Sequence, residues 1–171
     1  SHEFHVLADS GEDEIAFSDS SKYAANIEMA KGLLPDEPDT GEMLTSECVS
    51  TGDAHSIDAV SDLLQTQTSR IVKTLLVRGE DEQGEANGEL IALLLRGDQE
   101  LNETKAQKLS GVLSPLTFAT DDEVKDIIGC EPGAIGPVKL NIRTIADLSV
   151  VTMKNFVCGA NLNNHHLRNA N

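Results

Sequence analysis

The sequence predicts a mixed α/β fold of the α+β kind, with a mixed β-sheet flanked by helices. Residues 90–95, Leu-Ile-Ala-Leu-Leu-Leu, are apolar without a break, as in a strand buried on both faces. Strand-like runs and short helical stripes surround it without a regular β-α-β repeat, which argues for an α+β or mixed-sheet domain. Ser56, Asn102 and Thr120 each stand where a helix N-cap is expected, so helices punctuate the strands.

The 171 residues suffice for one domain with a core plus an appendage. Aromatic residues are 3% of the chain and Trp is absent, so the core rests on Leu, Ile, Val and Ala. No apolar run reaches membrane-spanning length and nothing resembles a signal peptide. The net charge is −16. Residues 1–56 hold 13 acids against two bases, Lys22 and Lys31; residues 57–171 hold 16 acids against 11 bases. Nucleic-acid affinity comes mainly from phosphate neutralisation, so this chain is no autonomous nucleic-acid binder. Cys48, Cys130 and Cys158 are odd in number, widely spaced and free of C-x-x-C, which points to reduced cytosolic thiols.

Two short apolar runs, 4–7 and 15–17, flank a Gly-acid turn and suggest paired strands. Ser20 or Ser21 caps an expected helix over 22–30, closed by Gly32. Residues 35–42, PDEPDTGE, read as a linker, placing a boundary between a lead-in (1–42) and a domain (43–171). A first strand is expected over 43–50. Ser56 then caps a helix with an apolar stripe of Ile57, Val60, Leu63 and Leu64. A strand over 71–77 is interrupted by Lys73, residues 79–88 form a polar turn, and 90–95 the buried strand. Asn102 caps a helix to about 108, and a brief strand covers 116–119. Thr120-Asp121-Asp122-Glu123 is a capping box whose helix stops at Gly129. Strands follow near 138–140, 142–147 and 155–158. The absence of Met at position 1 and the abrupt end at Asn171 suggest an excised segment.

Pro132-Gly133-Ala134-Ile135-Gly136-Pro137 packs two glycines and two prolines into six residues. Glycine permits φ > 0 and close approach, while proline fixes φ and removes a donor. Such a loop is stiff and exposes peptide groups to a polar ligand; it equally suits a tight connector. Lys73 either points to solvent from an edge or lines a cleft, where its ammonium would hold a phosphate or carbonyl oxygen. Asp147 is either a turn residue or an acceptor at a pocket mouth. His165 and His166 lie in a polar tail; they make a poor metal pair, and either an exposed loop or a substrate hydrogen bond suits them. His2 and His5 fall on strand-like sequence, and no metal is expected. There is no G-x-S-x-G and no Cys with a histidine at recognisable spacing, so hydrolysis would proceed by positioned water.

Six stretches in order resemble the editing insertion of bacterial prolyl-tRNA synthetase. They are Ser18-Asp19-Ser20-Ser21-Lys22-Tyr23-Ala24-Ala25-Asn26-Ile27-Glu28, Val72-Lys73-Thr74-Leu75-Leu76-Val77, Leu95-Arg96-Gly97-Asp98-Gln99-Glu100-Leu101-Asn102-Glu103, Ser114-Pro115-Leu116-Thr117-Phe118-Ala119-Thr120, Gly133-Ala134-Ile135-Gly136-Pro137 and Phe156-Val157-Cys158-Gly159-Ala160-Asn161. Ser1-His2-Glu3-Phe4 looks like the end of the class II catalytic segment that precedes the insertion. The resemblance implies a fold shared with free-standing YbaK-like aminoacyl-tRNA deacylases, and hydrolysis of alanine mischarged onto proline tRNA. It places Lys73 at the essential lysine, Gly133 to Pro137 (with Ala134 and Ile135) at the loop that holds the aminoacyl group and water, and His166 at the family histidine. It places Asp147 at an acidic pocket residue, and Ile57 and Val60 at the small apolar pocket for the alanine methyl. Val60 stands where Leu is common, and the tail after His166 lacks the usual aromatic pair and glycine. The implied partners are the tRNA(Pro) acceptor end carrying alanine and the remainder of a cytoplasmic, homodimeric synthetase, with no membrane. The editing domain would need no cofactor, and the parent would use ATP and Mg. The core signatures for amino-acid activation are absent, so aminoacylation is not expected of this segment.

Overall fold

The computed structural model describes residues 15–17, 24–26 and 41–171. The chain divides into two units, residues 1–32 and 33–171. In the first, β1 (Ile15–Phe17) pairs antiparallel with β2 (Ala24–Asn26), Ala16 opposite Ala25. The strand at 24–26 replaces part of the helix expected over 22–30, because cross-strand pairing overrides a local helical preference. The expected strand at 4–7, His2, His5 and residues 35–40 of the linker lie outside the described residues.

The second unit holds two three-stranded sheets. One has the order β3 (Glu47–Ser50), β8 (His165–Ala170), β7 (Phe156–Gly159), all antiparallel. The other has the order β4 (Val72–Glu80), β5 (Ala86–Arg96), β6 (Arg143–Ala146). Its β4–β5 pair is antiparallel and its β5–β6 pair parallel, so this sheet is mixed, as expected. A single parallel bridge, Ile71 to Val157, joins the two sheets.

The helices form where the caps stand. Ser56 Oγ accepts from Ala59 N at the head of α1 (Ile57–Leu64), and Asn102 accepts from Lys105 N at the head of α2 (Glu103–Ala106). Thr120 and Glu123 close both halves of the capping box on α3 (Asp121–Ile128), which ends at Gly129 in the left-handed conformation. A short α4 (Leu148–Val151) follows β6, capped by Asp147.

Each helix covers a distinct part of the sheets. Val60 and Leu64 of α1 pack on Ile71 and Val157. Ala106 of α2 packs on Val77, Ile91 and Leu93. Val124 of α3 meets Leu76, Leu90 and Ala92, with Ala134 and Ile135 beside it. Val150 of α4 meets Val72, Leu94, Phe156 and Cys158. All of β5 from Leu90 to Leu95 is buried, which its unbroken apolar run requires.

Several elements differ from expectation. The first strand begins only at Glu47, since Met43 and Leu44 are exposed. The 79–88 turn shortens to 81–85, because pairing carries β4 to Glu80 and starts β5 at Ala86. Residues 116–119 form one bridge, Phe118 to Val77, rather than a strand; Pro115 just before them offers no N–H to a ladder. Residues 138–140 form a turn, with Lys139 at φ +60° and Leu140 N donating to Pro137 O. The C-terminal tail, expected as a polar loop, is strand β8, held between β3 and β7.

Candidate active site

Side chains alternate along β4. Val72 and Leu76 enter the clusters under α4 and α3, while Leu75 and Val77 face α2 and Ile71 faces α1. Lys73 therefore leaves the sheet on the face of Ile71, the face that α1 covers. It is half-buried. From the Ile71–Val157 bridge, Lys73 lies two residues along β4 and Gly159 two residues along β7. Gly159 sits opposite His166, and His166 opposite Val49, whose side chain packs in the α1 cluster. Lys73, Gly159 and His166 thus share one face.

The 133–137 loop spans the split between the sheets. Its Ala134 and Ile135 side chains join the Leu76 cluster on the opposite face of β4. Its carbonyls come over Gly159: a Cβ on Gly159 would collide with Ala134 O and Ile135 O, and a Cβ on Gly136 with Gly159 O. A Cβ on Gly133 would sit 2.9 Å from His55 Cβ. These glycines are required by packing against protein backbone; neither Gly133 nor Gly136 has positive φ. This corrects the expectation that the glycines serve φ > 0. The loop's peptide groups are also less bare than expected. Gly136 N donates to Asn161 Oδ1 (2.8 Å), Asn161 N donates to Ala134 O (2.8 Å), and Asn161 Nδ2 donates to Val138 O (2.9 Å). Pro137 opens the turn that follows. Asn161 is the clamp of this loop, and sequence reasoning quoted it only as the end of a matching stretch.

His166 is 5% exposed, not an exposed tail residue. Its Nδ1 lies 2.8 Å from Thr51 Oγ1. Burial, and secondarily the neighbouring His55, push its pKa below the usual histidine value. The ring is therefore neutral at pH 7, able to hydrogen-bond a substrate without bringing a charge. Ile57 is half-buried at the start of α1, and its Cγ2 lies 3.1 Å from where Gly97 would carry a Cβ. Val60 is 1% exposed, so no open space for a methyl group reaches it; Leu64, Ile71 and Val157 fill its surroundings.

Asp147 is exposed and caps α4. Its Oδ1 accepts from Ser149 N (2.8 Å) and Ser149 Oγ (2.6 Å), so it does the turn residue's work at the head of α4. It also helps raise the pKa of Arg96, whose main partner is Asp98 through bonds of 2.6 and 2.9 Å. An open cleft of ≈ 590 Å³ lies on the outer side of the loop, lined by His55, Asp121, Glu131, Pro132, Gly133, Asn163 and Asn164. Lys73 does not line it. His55 and Thr51 were missed in the sequence; nothing in the pattern TGDAHS marks them, and only the fold brings them to Gly133 and His166. Among the described residues, no group of three His, Cys, Asp or Glu could hold a metal ion, and no helix is long and apolar enough to cross a membrane.

Residues 51–171 match the family model of the aminoacyl-tRNA editing domain. Among solved structures, the chain is similar to the hypothetical protein APE2540 at 27% identity and a TM-score of 0.58, over 72% of this chain and 79% of that one. It is similar in fold to a candidate trans-editing enzyme for prolyl-tRNA synthetase at 20% identity and a TM-score of 0.58, over 72% of this chain and 74% of that one. A scaffold protein from epitope backbone grafting also shares the fold, at 17% identity and the same TM-score, over 72% and 75% of the two chains.

Proposed function

Because this chain belongs to the aminoacyl-tRNA editing domain family, we propose that it hydrolyses the ester of a mischarged tRNA, and that this tRNA is alanyl-tRNA(Pro), edited within a cytoplasmic prolyl-tRNA synthetase. The observation that supports the reading is the shared face: Lys73 and His166 lie on it by register, and the carbonyl oxygens of Ala134 and Ile135 come over Gly159, which sits opposite His166. The aminoacyl ester is already activated, so holding it beside water supplies much of what the reaction needs. Lys73 provides a point charge for a phosphate or for charge developing on the carbonyl oxygen. The neutral His166 holds a substrate polar group, fixed in orientation by Thr51. Proline is rejected by size: a space fitted to a methyl group excludes a larger side chain by overlap. No cofactor enters this reaction, and the tRNA is brought by the parent synthetase, because a chain of charge −16 gains little from phosphates by itself.

A second reading is that the domain clamps the acceptor end without hydrolysing it. The closed packing around Val60 favours it. Deacylation of alanyl-, cysteinyl- and prolyl-tRNA by the purified polypeptide decides between them. Loss of alanine with prolyl-tRNA spared supports the hydrolase; binding with every ester intact supports the clamp.

A further inference from the structure

The 133–137 loop is tied down on two sides by different means. Its Ala134 and Ile135 side chains are buried against Leu76 and Ala92 of the β4–β5 sheet, the sheet that carries Lys73. Apolar burial of this kind is non-directional. The other tie is Asn161, two residues beyond the end of β7 in the sheet that carries His166. Its Oδ1 accepts from Gly136 N (2.8 Å) and its Nδ2 donates to Val138 O (2.9 Å). Such bonds weaken steeply with angle, so they fix orientation as well as distance. A carboxylate or an alkyl group of the same size cannot make both, because an amide alone presents an acceptor and a donor together. Asn161 holds this pose at φ +54°, a conformation that asparagine tolerates better than most residues. Its backbone N also donates to Ala134 O (2.8 Å), one of the two carbonyl oxygens that come over Gly159.

We propose that Asn161 is a positioning residue for ester hydrolysis, setting where the carbonyl edge of the loop stands relative to Lys73 and His166. This rests on the hydrolase reading above. Lys73 and His166 belong to different sheets, joined through the Ile71–Val157 bridge. A loop that spans both sheets must be fixed to each if one substrate is to meet all three elements at once. A displacement of about 1 Å can cost about 100-fold in rate. Asn161 acts through the loop and not on the ester itself.

The test compares Asn161→Gly with Asn155→Gly. Asn155 is a matched control. It too is half-buried at positive φ (+52°), and its amide accepts from Leu44 N (2.8 Å) and donates to Glu42 O (2.8 Å). Glycine keeps each backbone conformation and removes the two side-chain bonds. Urea unfolding measures what each change costs the fold. Single-turnover deacylation of alanyl-tRNA(Pro) is then followed across polypeptide concentrations at a temperature where the variants are folded. The expected result for Asn161→Gly is a maximal rate down about 100-fold at an unchanged half-saturating concentration. Asn155→Gly is expected to keep the wild-type rate. Asn161→Asp keeps the acceptor for Gly136 N but sets a carboxylate oxygen against Val138 O; it is expected to lose rate in the same way, and replaces the glycine variant if that one does not fold. Equal rates in the Asn161 and Asn155 variants overturn the proposal, as does a loss confined to the half-saturating concentration. If the wild type hydrolyses no aminoacyl-tRNA, the hydrolase reading itself falls, and this proposal with it; an active wild type matched by both Asn161 variants removes the positioning role alone.

Discussion

Gly136→Ala tests whether the loop is held by backbone packing. The added Cβ would point into the carbonyl oxygen of Gly159. Carbon and oxygen rest about 3.3–3.6 Å apart even in a weak C–H···O contact, so the loop must retreat by on the order of 1.5 Å. That movement stretches the Asn161 clamp, whose three bonds are now 2.8, 2.8 and 2.9 Å long. Overpacking costs about 1–3 kcal/mol and each lost bond about 1 kcal/mol, so with two of the three bonds lost the expected loss is about 3–5 kcal/mol. In a domain of this size that lowers the unfolding midpoint by roughly 10 °C. Gly84→Ala is the control: nothing lies within 4 Å of its Cβ, and only its φ of +82° opposes the change. Its cost is about 1 kcal/mol. Urea unfolding of both variants gives the comparison. A Gly136→Ala protein within about 1 kcal/mol of wild type would refute the packing argument.

Thr51→Val leaves the buried Nδ1 of His166 without its 2.8 Å partner; a loss of about 1–3 kcal/mol is expected in the same unfolding experiment. Burial and His55 hold the His166 pKa below its ordinary value, so the unfolded chain binds the proton at higher pH than the folded one. Stability is therefore expected to fall as pH drops below about 6.5, with a slope of at most about 1.4 kcal/mol per pH unit, and to level off below the folded-state pKa. His166→Gln should remove this contribution, and unfolding titrations between pH 7 and 5 measure it. Val60→Leu adds a methylene where the residue is 1% exposed, so it should destabilise by about 1–3 kcal/mol; a neutral or stabilising result would show room beside Val60 for a substrate methyl group.

Local chemistry was legible where it alone decides structure. Ser56, Asn102 and the Thr120–Glu123 box cap helices as their side chains dictate, and Gly129 ends α3 because it takes the left-handed conformation at no steric cost. The run from Leu90 to Leu95 could be buried only on both faces. Long-range pairing was not legible. β8 reads His-His-Leu-Arg-Asn-Ala, with little strand preference of its own, and exists because β3 and β7 flank it. Lys139 at positive φ turned an apolar stretch at 138–140 away from a strand. Lys73 and His166, expected from the motif match, lie on one face by the register from the Ile71–Val157 bridge. Gly133 and Gly136 do not take the positive φ that glycine permits; instead they pack against His55 and Gly159, residues 78 and 23 positions away in sequence, which no local pattern reveals. Asp147 was open to two roles, and its bonds to Ser149 give it the cap.

The most direct measurement is single-turnover deacylation of alanyl-tRNA(Pro) by the wild-type polypeptide and by Lys73→Ala. Lys73 is half-buried and enters no core cluster, so its removal leaves the fold standing. Loss of hydrolysis with an unchanged unfolding midpoint is the expected result. Hydrolysis by Lys73→Ala at the wild-type rate would contradict it.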